Sequence, residues 1–151
     1  MKTIDAFDKQ FKTEDDCKAF LVAARWPNGV SCPRCHGKEK IYHLKSKPFH
    51  WACKNTGCGG RNGYRFSALT HTIFQDTKIP LIQWFKVGYL MLVAKKGVSA
   101  LQLHRVIFGK HTGSDYRTTW YMCHRWRAAM QGEVIPLTGE VEVDETYVGG
   151  K

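Results

Sequence analysis

Two close pairs of cysteines constrain this chain more than any other feature. Cys32-Pro-Arg-Cys35 and Cys53-Lys-Asn-Thr-Gly-Cys58 are separated by 17 residues. Each pair has the form of a tight turn that aims two thiolates at one ion, and four thiolates close a tetrahedral shell around Zn2+. Such a shell leaves no coordination position open, so the metal it holds is structural rather than catalytic. Gly37 and Gly59 lie just past the pairs, where turns of this kind ask for positive φ. Lys40–Leu44 and Phe49–Cys53 carry strand formers and read as a hairpin between the knuckles, with Tyr64–Ser67 as a closing strand. A segment this small has little core of its own, so metal binding and folding should be one event. The second pair is wider than the commoner two-residue spacing, which makes His36 and His50 the substitute ligands if Cys58 swings away. Cys17 and Cys123 fall in helical patterns and read as small buried hydrophobes.

Helical signals flank this segment on both sides. Thr13 with Asp16 three residues later resembles a capping box, so a helix is expected over about 13–24. Pro80 stands where a helix starts, and Leu81–Lys96 is expected to run about four turns to a C-cap at Gly97. Its apolar residues, among them Trp84, Phe85, Val87 and Val93, cover most of the circumference, as in a helix buried among others. Trp84, Phe85 and Tyr89 could form a base-stacking platform, but core packing is the simpler reading. Ser99 with Gln102 is a second capping box, opening a short helix to about Ile107. After a loop from Phe108 to Ser114, Ser114 or Asp115 caps a longer helix to about Met130. Trp120, Met122, Cys123 and Trp126 supply its packing face, and Arg117, Thr118, Thr119, Arg125 and Arg127 its polar groups. Two helices joined by a turn, the second opening on Arg and Thr, form the pattern of a helix-turn-helix. Beyond a linker at 132–139, Glu140–Val148 alternates apolar and polar residues like a strand buried on one face.

Charge points to a polyanionic partner. The formal net charge is +10. Residues 17–132 hold 19 Lys and Arg against only three acids, Glu39, Asp76 and Asp115. A basic stretch of this kind suits nucleic acid, since each neutralised phosphate releases a condensed counterion. The longest apolar stretch, around Val87–Ala94, is far short of the ~20 residues of a membrane-spanning helix. The N-terminal residues have acids and no apolar run, unlike a secretory signal. Six cysteines in a cytoplasmic chain argue for metal or buried thiols over disulfides.

Read together, these segments resemble bacterial insertion-sequence transposases that carry an N-terminal zinc ribbon and an RNase H-like (DDE-type) catalytic domain. The stretches that carry the likeness are Arg25–Cys35, Phe66-Ser67, Thr72–Phe74, Lys78–Pro80, Trp84-Phe85, Tyr89–Met91, Lys95–Leu103, Thr119–Met122 and Glu140–Lys151. The resemblance implies a small α+β chain in four parts. These are an N-terminal helical segment (1–24), a zinc ribbon (25–70), a helix-turn-helix region (79–131) and the first strand of an incomplete catalytic domain (140–151). It implies structural Zn2+ on Cys32, Cys35, Cys53 and Cys58. Double-stranded DNA at element ends would be met by Arg61, Arg65, Arg117, Thr118, Thr119 and Arg125. Asp144 would be the first catalytic carboxylate, binding Mg2+ only alongside acidic partners from a complete domain. A nucleoid-associated cytoplasmic protein with the capacity to form a homo-oligomer is the resulting expectation. A stand-alone DNA-binding regulator and a non-functional remnant are the alternatives.

Overall fold

The structure, a computed structural model, describes residues 3–59, 62–109 and 115–132. Within them lie five helices and one three-stranded antiparallel sheet. In chain order these are α1 (Ile4–Gln10), α2 (Glu14–Arg25), β1 (Ile41–His43), β2 (His50–Cys53), β3 (Tyr64–Ser67), α3 (Leu81–Val93), α4 (Ala100–Ile107) and α5 (Tyr116–Met130). The expected strand at Glu140–Val148 lies outside the described residues.

The sheet has the order β1-β2-β3, with Ile41 opposite Cys53 and Trp51 opposite Phe66. One side of it is covered by aromatic rings. Trp26, at the end of α2, meets Trp51 and Phe66 edge-on at 5.2 and 5.9 Å, and Tyr64 stacks on Phe66 at 6.0 Å. With Cys32, Cys53, Cys58 and Ala68 these rings make up a small core belonging to the ribbon.

A second, larger core fills the space between the helices. Phe7 and Phe11 enter it from α1 and its end, Phe74 from the connection after β3, Trp84, Phe85 and Val87 from α3, Leu103 from α4, and Met122 from α5. The expected capping box at α2 is complete: Thr13 accepts from the Asp16 N–H, and Asp16 accepts from the Thr13 N–H at 2.8 Å. Ser99 accepts from the Gln102 N–H at 3.1 Å and Asp115 from the Arg117 N–H, so α4 and α5 begin where their caps indicate.

The start of α3 is as expected and its end is not. Pro80 stands just before Leu81 and offers no side-chain cap. The cap comes instead from Glu14 on α2, whose two carboxylate oxygens accept from Leu81 N–H at 2.9 Å and Ile82 N–H at 3.4 Å. A carboxylate there satisfies orphan donors and complements the helix dipole. The helix stops at Val93, a turn earlier than expected, because Ala94 turns extended and Gly97 N–H closes a tight turn onto Ala94 C=O. That turn sends the chain back so that Val98 and Ala100 reach the core, and it leaves Val93 more than half exposed.

The two cores share α2. Leu21 packs against both, and the Arg25 guanidinium donates to the carbonyls of Ala68 (2.8 Å) and Thr70 (2.6 Å) just beyond β3. Gly88 on α3 allows close approach of α5: a Cβ there would stand 2.5 Å from the Trp126 ring, whose Nε1–H donates to Trp84 C=O.

Candidate functional site

The two knuckles fold by local backbone bonds and then face each other. In the first, Cys32 N–H donates to Gly37 C=O and His36 N–H to Cys32 C=O, drawing the chain into a loop around the cysteine pair. In the second, Cys58 N–H donates to Asn55 C=O, which takes up the extra residues of the wider spacing. The positive φ these turns need falls on His36 (56°) and Gly57 (79°), inside or beside the pairs, and not on Gly37 or Gly59. Those two glycines serve by lacking a side chain. A Cβ on Gly37 would collide with the Asn55 amide, and one on Gly59 with the Tyr64 backbone.

As a result all four sulfurs come together, each within 4.8 Å of every other. Cys32 and Cys58 Sγ are 3.4 Å apart, and Cys35 and Cys53 Sγ 3.7 Å. Four thiolates bound at about 2.3 Å around one tetrahedral ion would be separated by about 3.8 Å, so the set fits Zn2+ closely. Cys58 takes its place in spite of the wider spacing, and the cluster contains neither His36 nor His50. His50 instead sits in β2 with its Nδ1 buried and without a hydrogen-bond partner among the described residues. Burial and the nearby Lys47 charge both lower its pKa.

The thiols differ in how readily they ionise. The Asn55 side-chain amide and the Gly37 N–H bring Cys35, the exposed member, down to about 6. Burial and the neighbouring sulfurs push Cys58 well up, and burial raises Cys53. Four thiols held this close call for a cation at their centre, because their thiolates would otherwise place like charges side by side. The second layer includes residues that the sequence reading did not single out. Asn55 Nδ2 donates to Cys35 Sγ at 3.5 Å, and Arg34 donates to Cys58 C=O at 3.0 Å while lying over the Tyr64 ring. Arg34 thus ties the first knuckle to the second. Cys17 and Cys123 are fully buried in the helical region, away from this centre, with Cys17 raised by burial to about 11.

The residues expected to touch DNA are placed very differently from one another. Arg61 and Asp144 lie outside the described residues. Arg65 is exposed on β3, and Arg117 is exposed in the first turn of α5, 3.8 Å from Asp115. Thr118 is half-buried beside a polar cavity of about 450 Å3 that Tyr121 and Arg125 also line. Thr119 is fully buried, its hydroxyl 3.1 Å from His104 Nδ1, where it locks α5 to α4 rather than facing outward. The Arg125 guanidinium donates to the carbonyls of Gln75 and Thr72 and lies over the Tyr121 ring, bracing α5 against the connection that follows β3. Trp120, expected in the packing face, is 48% exposed, and Thr119 takes that inward position.

Comparison with known proteins agrees with this geometry. Residues 12–61 match the transposase zinc-ribbon domain, a span that contains all four clustered cysteines. The chain is also similar to an uncharacterised protein in the transposable element ISH50 of Halobacterium salinarum, with 26% identity over 141 residues. That similarity covers 93% of this chain but only 44% of the relative's length. No solved structure matches the chain. Both similarities support a transposase-related protein with a structural zinc site. Among the described residues no helix is long and apolar enough to cross a membrane.

Proposed function

We propose that this chain binds double-stranded DNA at the ends of a mobile element and serves as the recognition portion of a transposase. The observation that carries this reading is the convergence of four thiols inside the segment matching a transposase zinc ribbon. The charge balance supports it: 19 Lys and Arg against three acids over residues 17–132 suit a phosphate backbone. The zinc orders the ribbon and takes no part in chemistry, because four cysteines leave it no open position.

In this reading α4 and α5 act as a helix-turn-helix with α5 as the reading helix, and Arg65 and Arg117 contact phosphates. Thr119 drops out of the contact set because it is buried. Arg125 acts by positioning α5, since its guanidinium is engaged with backbone carbonyls. Asp144 would be the first carboxylate of an RNase H-like catalytic domain. Mg2+ needs more than one fixed oxygen donor, so residues 1–151 alone should bind DNA without cutting it.

The test is duplex binding by the zinc-loaded chain as a function of salt. Binding at low salt should fall linearly on a log–log plot, losing about 1,000-fold between 50 and 200 mM if about six phosphates are contacted. Absence of binding at low salt would overturn the proposal. Strand transfer by this chain in Mg2+ would overturn its non-catalytic part.

A further inference from the structure

From Tyr116 to Arg127 the exposed residues of α5 fall on one continuous face. At about 100° per residue, Tyr116, Arg117, Trp120, Tyr121, His124 and Arg127 occupy a single arc of the helix, opposite Thr119, Met122, Cys123 and Trp126. Three of the six are large aromatics left in solvent: Tyr116 at 41%, Trp120 at 48% and Tyr121 at 51% exposure. Two more are arginines, and α5 has no acid anywhere along its length. The His124 ring lies 4.0 Å from the Trp120 ring, centre to centre, which fixes the indole in place without covering it. Tyr121 is held from the other side by the Arg125 guanidinium at 5.3 Å, itself anchored on the Thr72 and Gln75 carbonyls.

An exposed aromatic stripe of this kind needs an occupant, because isolated apolar side chains are common on surfaces but aligned ones mark contact sites. Charge selects the occupant. A face with arginines at both ends and no carboxylate between them complements a polyanion. Lone phosphates would be served by the arginines and give the rings nothing to do. The major groove of a duplex offers both partners at once: phosphates and guanine edges for arginine, and the thymine C5-methyl group as its one apolar feature.

We infer that the exposed face of α5 reads thymine-containing sequence in the major groove, with Trp120 and Tyr121 contacting thymine methyl groups and Arg117 anchoring the helix to the backbone. This rests on the reading of the chain as a duplex-DNA binder, and it adds which residues specify sequence and by what chemistry. Trp120 is the principal specificity residue, being clamped by His124 in the second turn of the helix, the end that meets base edges in such docking.

The experiment begins with a duplex selected by the full zinc-loaded chain from a randomised pool. That duplex is then made in two forms, with thymine and with deoxyuridine in its place, a change that removes only the methyl group. The wild-type chain should bind the uracil form about four-fold more weakly for each methyl contacted. Trp120→Ala should lose one such factor on the thymine form, and Trp120→Ala combined with Tyr121→Ala should no longer distinguish the two, with the salt dependence unchanged. Arg117→Ala should keep the thymine preference and reduce the salt slope by about 1. Equal binding of both duplexes by the wild type, or an undiminished thymine preference in the double variant, overturns the inference. Should Trp120→Ala fail to fold, the comparison of the two duplexes with the wild-type chain still decides. The parent reading fails differently: no duplex of any sequence is then bound at low salt.

Discussion

The ribbon and the helical region are built on opposite principles, although they share α2. In the ribbon, half of the six buried core residues are cysteines, and the aromatics Trp26 and Phe66 form a thin layer beside them. In the helical region the core is made of rings and aliphatic side chains contributed by all five helices and the connection after β3, and its two cysteines act only as small apolar groups. A three-stranded sheet of 3-, 4- and 4-residue strands cannot bury enough apolar area to offset its chain entropy. The metal takes over that task. The helices need no such support, because Phe7, Phe11, Phe74, Trp84 and Phe85 meet in one continuous aromatic cluster.

Removing the metal is the strongest way to test this contrast. Binding of structural Zn2+ contributes an apparent ~10–16 kcal/mol to small domains of this type. Chelation should therefore abolish the sheet and open four thiols to rapid alkylation, while the helical circular dichroism of α3–α5 persists and Cys17 and Cys123 stay slow. Loss of sheet and helix in one transition would show that Leu21 and Arg25 couple the two regions into a single unit.

Truncating the other core should do the reverse. Leu103→Ala on α4 removes a side chain that is 1% exposed, and should cost about 2–5 kcal/mol in thermal or urea unfolding. Zinc content, by metal analysis, and the protection of the four ribbon thiols should stay at wild-type levels. Zinc loss in this variant would break the separation.

The smallest effect is expected at the seam between the regions. Glu14→Gln keeps the shape of the α3 cap but removes its charge, and should lower stability by about 1 kcal/mol, read as a shift in the helical unfolding transition. A change in the ribbon's metal affinity instead would place Glu14 in the other half of the comparison.

Much of this molecule was legible before any coordinates. The thiol spacing gave the metal centre, Thr13 and Ser99 gave the starts of α2 and α4, and the pair Ser114 and Asp115 bracketed the start of α5, which Asp115 caps. In each case the informative contact lies within a few residues, so a pattern of residue types at fixed spacing encodes it directly. The Phe7 helix was less visible, since seven residues with a single buried side chain leave little periodicity to read.

Other features depended on which surfaces meet. Glu14 caps a helix 67 positions away, and Arg125 reaches carbonyls 50 and 53 positions back, pairings that no local pattern records. The face of α5 is the clearest case. Its sequence holds more apolar residues than one side of a helix can bury, so composition alone could not say which would be sheltered. Packing against α3 and α4 selected Thr119, Met122, Cys123 and Trp126, because Gly88 admits the Trp126 ring and His104 receives the Thr119 hydroxyl. Trp120 was left outside by the same geometry. The sequence by itself determined most of the elements and the four clustered cysteines, whose signals are local; tertiary structure decided which side chains face outward, because burial depends on what the rest of the chain brings alongside.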